Sequence, residues 1–397
     1  MNVLYVSYDG MTDPLGRSQV MPYVTALARR GLNFTVLSAE KPELARERPQ
    51  VAEAFRAAGV EWHFVEYSRR YPILSAVWNY RRLWRSALRL HVRKRFAVVH
   101  CRSYLPAAVG LRLKRRYGVK MIFDMRGFWA DERVEAGLWD LSRPHFRVVY
   151  RYFKNLEKKA VLEADYIVAL TEAAKREMIA WNLRLPLPVA VVPCCADENL
   201  FDYRRSFAVS KTDLGIPASA KVLVYLGSIS TWYKLGEMVK FFHLLNQNDD
   251  WYFLVVTREN PEPIRALMSE AVRHKLVALP ASREEVPAYL SLADLSVAFI
   301  APTYSKLASS PTKIAETMFM GVPIVANAGV GDVQEILSRT GAGVCVRNFS
   351  DDELRRAAAT ALNGDKAAIR HAAMQYFTLE SGVQKYLEVY RALGFEG

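Results

Sequence analysis

Met1-Asn2-Val3-Leu4-Tyr5-Val6-Ser7-Tyr8 opens the chain, and together with residues 9–37 it decides the fold. Val3-Leu4-Tyr5-Val6 is an unbroken apolar run, as in a strand buried on both faces. Residues 8–17 carry Gly10, Pro14 and Gly16 and read as a loop. Residues 19–30 put Val20, Val24, Leu27 and Ala28 on one helical face; Gly31 stops the helix, and Phe34-Thr35-Val36-Leu37 is a second apolar strand. Strand, loop, helix, strand is a βαβ unit, whose strands run parallel and whose ligands collect at their carboxyl ends. Gly16 is therefore either an ordinary loop glycine or a point where a ligand closely approaches the backbone.

The alternation continues, with strands predicted at 97–100, 121–123, 166–170 and 189–192. After Asp213 it resumes at 222–226, 252–256, 276–279, 295–300, 324–326 and 344–346. Because 397 residues exceed one ordinary core, the reading is α/β with two Rossmann-like parallel-sheet domains. Residues 1–205 form the first and 206–376 the second, with the junction in the polar stretch 201–213. Residues 377–397 hold an amphipathic helix with Val383, Tyr386, Leu387, Tyr390 and Leu393, suited to pack on either domain.

Ser309-Ser310-Pro311-Thr312-Lys313-Ile314-Ala315-Glu316 leads into Thr317-Met318-Phe319-Met320-Gly321-Val322-Pro323. Pro311 suits a helix start and Gly321 a helix stop, so 313–320 is predicted helical. Its first-turn N–H groups face a loop of small residues and carry the positive end of the helix dipole. With Ser309, Ser310, Thr312 and the Lys313 cation added, this is a seat for a phosphate. Glu316, one turn on, is placed to grip a ribose diol; the alternative is a solvated turn with a Lys-Glu pair.

The net charge of +13 is confined to one half. Residues 1–200 hold 33 Lys and Arg against 20 Asp and Glu, and residues 201–397 hold 21 against 21. The first half is thus suited to an anionic, extended partner. Residues 69–95 carry nine Lys and Arg, interleaved with Tyr71, Trp78, Tyr80 and Trp84 around Leu74, Val77, Leu83 and Leu88. Arg81, Arg82 and Arg85 with Trp84 make this either an interfacial helix on anionic lipid or a basic helix packed on its own domain. The chain begins directly as a strand and has no apolar run near the roughly 20 residues that span a bilayer, so a cytoplasmic, peripheral protein is expected. Cys101, Cys194, Cys195 and Cys345 lack metal-ligand spacing and read as small buried apolar residues.

Four further segments complete a pattern: Asp13-Pro14-Leu15-Gly16-Arg17-Ser18-Gln19-Val20, Phe123-Asp124-Met125-Arg126-Gly127-Phe128-Trp129-Ala130-Asp131-Glu132, Val192-Pro193-Cys194-Cys195-Ala196-Asp197, and Tyr225-Leu226-Gly227-Ser228 through Lys234. With residues 309–326, in this order, they resemble the retaining glycosyltransferases of family 4, which have the GT-B architecture. The resemblance implies an interdomain cleft, a nucleotide-sugar donor held by the second domain and an acceptor held by the first. It implies that Glu316 binds the donor ribose and that Gly16, Gly227, Ser228, Ser309, Ser310 and Thr312 surround the donor. Two positions depart from the family. Ala308 stands where a second Glu touches the transferred sugar, so the sugar's identity does not carry over. Ser228 replaces a phosphate-binding Arg, and Lys234 only approximates its partnering Lys, which leaves Lys313 to supply charge. Arg126 occupies the position of a donor-contacting His, where its guanidinium suits phosphate; a salt bridge to Asp124 or Asp131 is the alternative. Asp131 and Glu132 read as acceptor-orienting residues or as rim charges.

The catalytic expectation is then Arg126, Lys234 and Lys313 acting by position and charge, without a metal or other cofactor. The expected acceptor is a lipid-linked saccharide of cell-envelope polysaccharide or lipopolysaccharide synthesis, met at an anionic membrane, with no nucleic acid involved. Two rivals stand beside it. A non-hydrolysing nucleotide-sugar 2-epimerase shares the architecture but needs acid/base carboxylates at the sugar. A non-catalytic membrane- or nucleic-acid-binding protein would use the basic segment alone.

Overall fold

The computed structural model describes residues 1–68, 72–183, 186–229 and 231–397. Arg69, Arg70, Tyr71 and the side chain of Leu74, all in the basic segment, lie outside the described residues. The chain forms two compact units, Met1–Pro193 joined by Leu379–Gly397, and Cys194–Thr378. The first break precedes the 201–213 stretch because residues 194–205 are tied into the second unit. Arg370 donates to the carbonyls of Phe201 and Glu198 at 2.6 and 2.9 Å, and the Cys194 N–H donates to Ser310 Oγ at 3.1 Å.

The first unit holds β1 (Asn2–Ser7), β2 (Asn33–Glu40), β3 (Glu61–Glu66), β4 (Val98–Arg102), β5 (Lys120–Met125), β6 (Tyr166–Ala169) and β7 (Val189–Val191). They lie in the order β3-β2-β1-β4-β5-β6-β7, every pairing parallel. The second holds β8 (Lys221–Leu226), β9 (Trp251–Val256), β10 (Leu276–Leu279), β11 (Leu295–Ala298), β12 (Ile324–Asn327) and β13 (Gly343–Val346) in the order β10-β9-β8-β11-β12-β13, again all parallel. Each order reverses direction once, between β1 and β4 and between β8 and β11. The crevice beyond the carboxyl ends at such a reversal is where doubly wound sheets bind ligands.

Strand β3 has no counterpart among the sequence expectations. Glu61-Trp62-His63-Phe64-Val65-Glu66 buries only Val65 completely, since it is an edge strand, and so offers no apolar run. The expected helix 19–30 is two helices, Pro14–Gln19 and Met21–Ala28, broken at Val20. Pro22 lacks the N–H that would carry one helix through this point.

Helix Pro72–Lys94 turns Asn79, Leu83, Ala87 and Leu90 inward and leaves Val77 exposed, so its buried stripe differs from the one expected. Asn79 fixes it: its side chain accepts from the Ser68 N–H at 3.1 Å and donates to the Ser68 carbonyl and the Tyr8 hydroxyl, both at 3.0 Å. Helix Leu379–Ala392 belongs to the first unit, where Tyr386 meets Tyr23 edge-on at 5.4 Å and Tyr390 meets Phe34 at 5.8 Å. Among the described residues no helix is long and apolar enough to cross a membrane.

Candidate functional site

In the second unit, helix Thr312–Phe319 buries Ile314, Ala315, Met318 and Phe319, which holds its amino end at the carboxyl edge of the sheet. Pro311 precedes it in extended conformation and gives no side-chain cap. Within the first turn the Ile314 N–H is taken by the Pro311 carbonyl at 3.0 Å, which leaves the Thr312 and Lys313 N–H groups for whatever occupies the loop. Ser310 already accepts from the Cys194 N–H, while Ser309 and Thr312 are half-buried beside it.

The Lys313 ammonium lies 4.1 Å from the centre of the Tyr233 ring, 4.5 Å from that of Tyr225 and 3.4 Å from the Tyr225 hydroxyl. Two aromatic faces thus hold the cation without neutralising it. Gly227 makes this arrangement possible. Its φ of +125° is one that side chains avoid, and a Cβ there would sit 2.7 Å from the Lys313 amine. The Tyr225 hydroxyl donates to the Ser228 carbonyl, fixing the turn. Burial pushes the Lys313 amine down to about 7, with Glu316 partly opposing.

Glu316 lies one turn further on, and its carboxylate makes no hydrogen bond or ion pair among the described residues. Burial raises its carboxyl above the ordinary range, with Arg283 and Lys313 pulling the other way. Lys234 caps helix Leu235–Leu245, and its ammonium stands 5.2 Å from the centre of the Phe349 ring. The fold therefore gathers Gly227, Ser228, Lys313 and Glu316, whereas Lys234 packs on an aromatic ring of its own. Lys306 escapes a reading from sequence: it is buried, 3.7 Å from the centre of the Trp232 ring. A single lysine in a polar loop gives no signal.

In the first unit the corresponding edge holds a buried carboxylate, Asp124, at the end of β5. It accepts from Arg126 at 3.5 Å, from His100 Nε2 at 3.4 Å and from the Tyr386 hydroxyl at 3.2 Å, and Arg102 lies 3.9 Å away. Because the Asp124 carboxylate can only accept, a neutral His100 carries its proton on Nε2, and Nδ1 then accepts from the Tyr390 hydroxyl at 2.7 Å. Burial keeps His100 below its ordinary pKa. The same burial would raise Asp124, but Arg126, His100 and Arg102 outweigh it and hold the carboxyl well below the usual range. Arg126 thus makes the ion pair to Asp124 that is the alternative to a phosphate contact.

Gly16 packs tightly against the preceding turn. A Cβ there would lie 2.0 Å from the Gly10 carbonyl oxygen. Asp131 is buried and accepts from Lys154 at 2.8 Å and from Tyr150 at 2.7 Å, so it stands inside the unit and not on a rim. Lys154 also pairs with Glu157, which in turn receives the Tyr104 hydroxyl. Glu132 follows Asp131 on the half-buried side of helix Trp129–Glu135.

Residues 20–200 match the family described as Glycosyltransferase Family 4, and residues 220–364 match Glycosyl transferases group 1. The chain belongs to the family-4 glycosyltransferases. This transferase is 25% identical over 412 residues to a D-inositol 3-phosphate glycosyltransferase of Kineococcus radiotolerans, covering 94% of this chain and 89% of that one. Its fold is that of sucrose-phosphate synthase from Thermosynechococcus elongatus, with a TM-score of 0.74, 16% identity and coverage of 99% and 98%. It is also that of Anabaena HepE in complex with UDP-glucose, with a TM-score of 0.68, 14% identity and coverage of 99% and 100%. The transferase is thus an enzyme of GT-B architecture.

Proposed function

We propose that this transferase moves a sugar from a nucleoside-diphosphate donor to a saccharide acceptor with retention of anomeric configuration. The observation that carries the reading is the caged Lys313 ammonium beside the uncapped start of helix Thr312–Phe319. A diphosphate there meets a cation together with the Thr312 and Lys313 N–H groups. Glu316, one turn along and with a carboxylate that makes no hydrogen bond among the described residues, takes the ribose diol. The HepE complex with UDP-glucose supports a donor of this class.

Retention follows from a front-face displacement. The bond from the sugar's anomeric carbon to the diphosphate oxygen breaks, the acceptor oxygen attacks from the same side, and the acceptor proton passes to the leaving phosphate. The chain's share is to hold the two substrates and to stabilise charge on the departing diphosphate through Lys313 and the helix amides. No divalent ion is assigned a part.

Glu316→Ala tests the donor assignment. In a thermal-shift panel of nucleoside diphosphates and their sugars, a ligand at a hundred times its Kd stabilises the native chain by about 2.7 kcal/mol. The best shift should vanish in the variant; a full response would remove Glu316 from the ribose.

The acceptor reading is a lipid-linked saccharide in cell-envelope polysaccharide or lipopolysaccharide synthesis, reached at the inner face of the membrane. Supporting it, helix Pro72–Lys94 exposes Arg81 and Arg85, and Arg112 covers Tyr80 and Trp84 at 5.4 and 5.6 Å. Helix Pro144–Glu163 adds exposed Val148 and Tyr152, each directly following an exposed arginine, Arg147 and Arg151. Arg112 belongs to helix Tyr104–Tyr117, which packs against both of these helices, so the three present one basic, aromatic surface. Each basic residue near an anionic surface contributes about 1 kcal/mol. Arg81→Glu with Arg85→Glu should cut co-sedimentation with anionic vesicles by tenfold or more; indifference to lipid charge would end the membrane assignment.

A further inference from the structure

A cavity of about 560 Å³ lies in the first unit, lined by Pro42, Glu43, Glu66, Tyr67, Trp78 and Arg82. It opens beyond the carboxyl ends of β2 and β3, between the short helix Pro42–Glu47 and helix Pro72–Lys94. Its walls are set by the protein's own bonds. Arg82 donates to the Glu66 carbonyl at 3.1 Å, Tyr67 meets Tyr8 edge-on at 5.4 Å, and Asn79 joins the helix to Ser68. Trp78 and Arg82, one turn apart, share the helix side that faces the cavity. Trp78 nevertheless leaves 54% of its surface in water.

We propose that this cavity is a saccharide subsite that takes an uncharged sugar ring of the acceptor against the Trp78 indole. The inference rests on the saccharide-acceptor reading above and names where that acceptor is held. A sugar ring has an apolar C–H face and a rim of hydroxyls. The face suits an aromatic ring, whose electron-rich surface attracts C–H groups. The hydroxyls suit carboxylate acceptors and a guanidinium donor.

The Glu43 carboxylate has no hydrogen bond or ion pair among the described residues, and the Glu66 carboxylate has only Arg48 at 3.7 Å. Both carboxylates are thus open to donors. Two carboxylates against the single Arg82 disfavour a phosphate, and an acyl chain has no use for either. The volume falls within the roughly 300–1,000 Å³ of small-ligand sites. It lies at the strand ends where parallel sheets receive ligands.

Saturation-transfer NMR on the full chain, with methyl α-glucoside, methyl α-mannoside and N-acetylglucosamine as probes, tests the subsite. At least one probe should receive saturation at its ring C–H protons, Trp78→Ala should abolish the signal, and Glu66→Gln should weaken it. Absence of signal from all three, or equal signals from wild type and Trp78→Ala, would overturn the proposal. Nucleoside-diphosphate thermal shifts on the same samples keep the two readings apart. Retained shifts without sugar signals remove the subsite alone, and absent shifts remove the donor reading beneath it.

Discussion

Replacing Lys313 with methionine should lower kcat/KM for the nucleotide donor by about 10²–10³-fold, the effect of removing one preorganised charge from a developing oxyanion. Methionine keeps most of the length and apolar stem, so the Tyr225 and Tyr233 rings keep a neighbour and thermal stability should change little. The effect also has a pH signature. Burial lowers the folded pKa of Lys313 to about 7, so in the empty site the ammonium is lost as pH rises through that value. A bound diphosphate favours the charged form and raises that pKa, so binding takes up a proton above about pH 7. Donor affinity should then fall by up to about tenfold per unit of rising pH, until the pKa of the bound state is passed. In Lys313→Met this dependence should disappear. A donor KM profile from pH 6 to 9 that is identical in the two proteins would show that the amine does not meet the diphosphate.

Asp124→Ala should destabilise the first unit by about 3–5 kcal/mol, the usual effect of removing one partner of a buried ion pair. The loss has three parts. Arg126 and Arg102 are left without their common counter-charge, His100 Nε2–H loses its acceptor, and the Tyr386 hydroxyl loses its own. Urea unfolding followed by separate probes in each unit should show the first transition moved and the second unmoved. A shift below about 1 kcal/mol would mean that the carboxylate is not the hub described. The wild-type chain should show the same coupling in acid. Because the folded pKa of Asp124 is depressed, its contribution is complete above the unfolded carboxyl pKa of about 4 and is lost as pH falls through the lower folded value.

Twelve of the thirteen strands among the described residues are legible in the sequence because strands buried on both faces are continuous apolar runs, as in Val3-Leu4-Tyr5-Val6 or Val222-Leu223-Val224-Tyr225. The exception, β3, is an edge strand like β7, β10 and β13, but in place of their apolar runs it carries Glu61, His63 and Glu66. The start of helix Thr312–Phe319 is legible through Pro311 and Gly321, which act within a few residues of themselves. What surrounds Lys313 is not. Tyr225 stands 88 residues away, and only the closing of the second sheet brings it to the amine. The ring of donors around Asp124 is equally remote, with Tyr386 separated by 262 residues. At Gly16 the need for a small residue is readable, but sequence cannot say that Gly10 is among the groups packed against it.

The tyrosines of helix Leu379–Ala392 that reach His100 and Asp124 tie the last segment of the polypeptide to the sheet built from its first. Residues 194–378 are consequently an insertion within a discontinuous domain, and order of synthesis becomes order of completion. The inserted half has every strand it needs before helix Leu379–Ala392 is synthesised, whereas the amino-terminal half waits for Tyr386 and Tyr390 to emerge before its central polar cluster is closed. Until that helix is made, Phe34 of β2 and Tyr23 of helix Met21–Ala28 lack the aromatic rings that cover them in the folded unit.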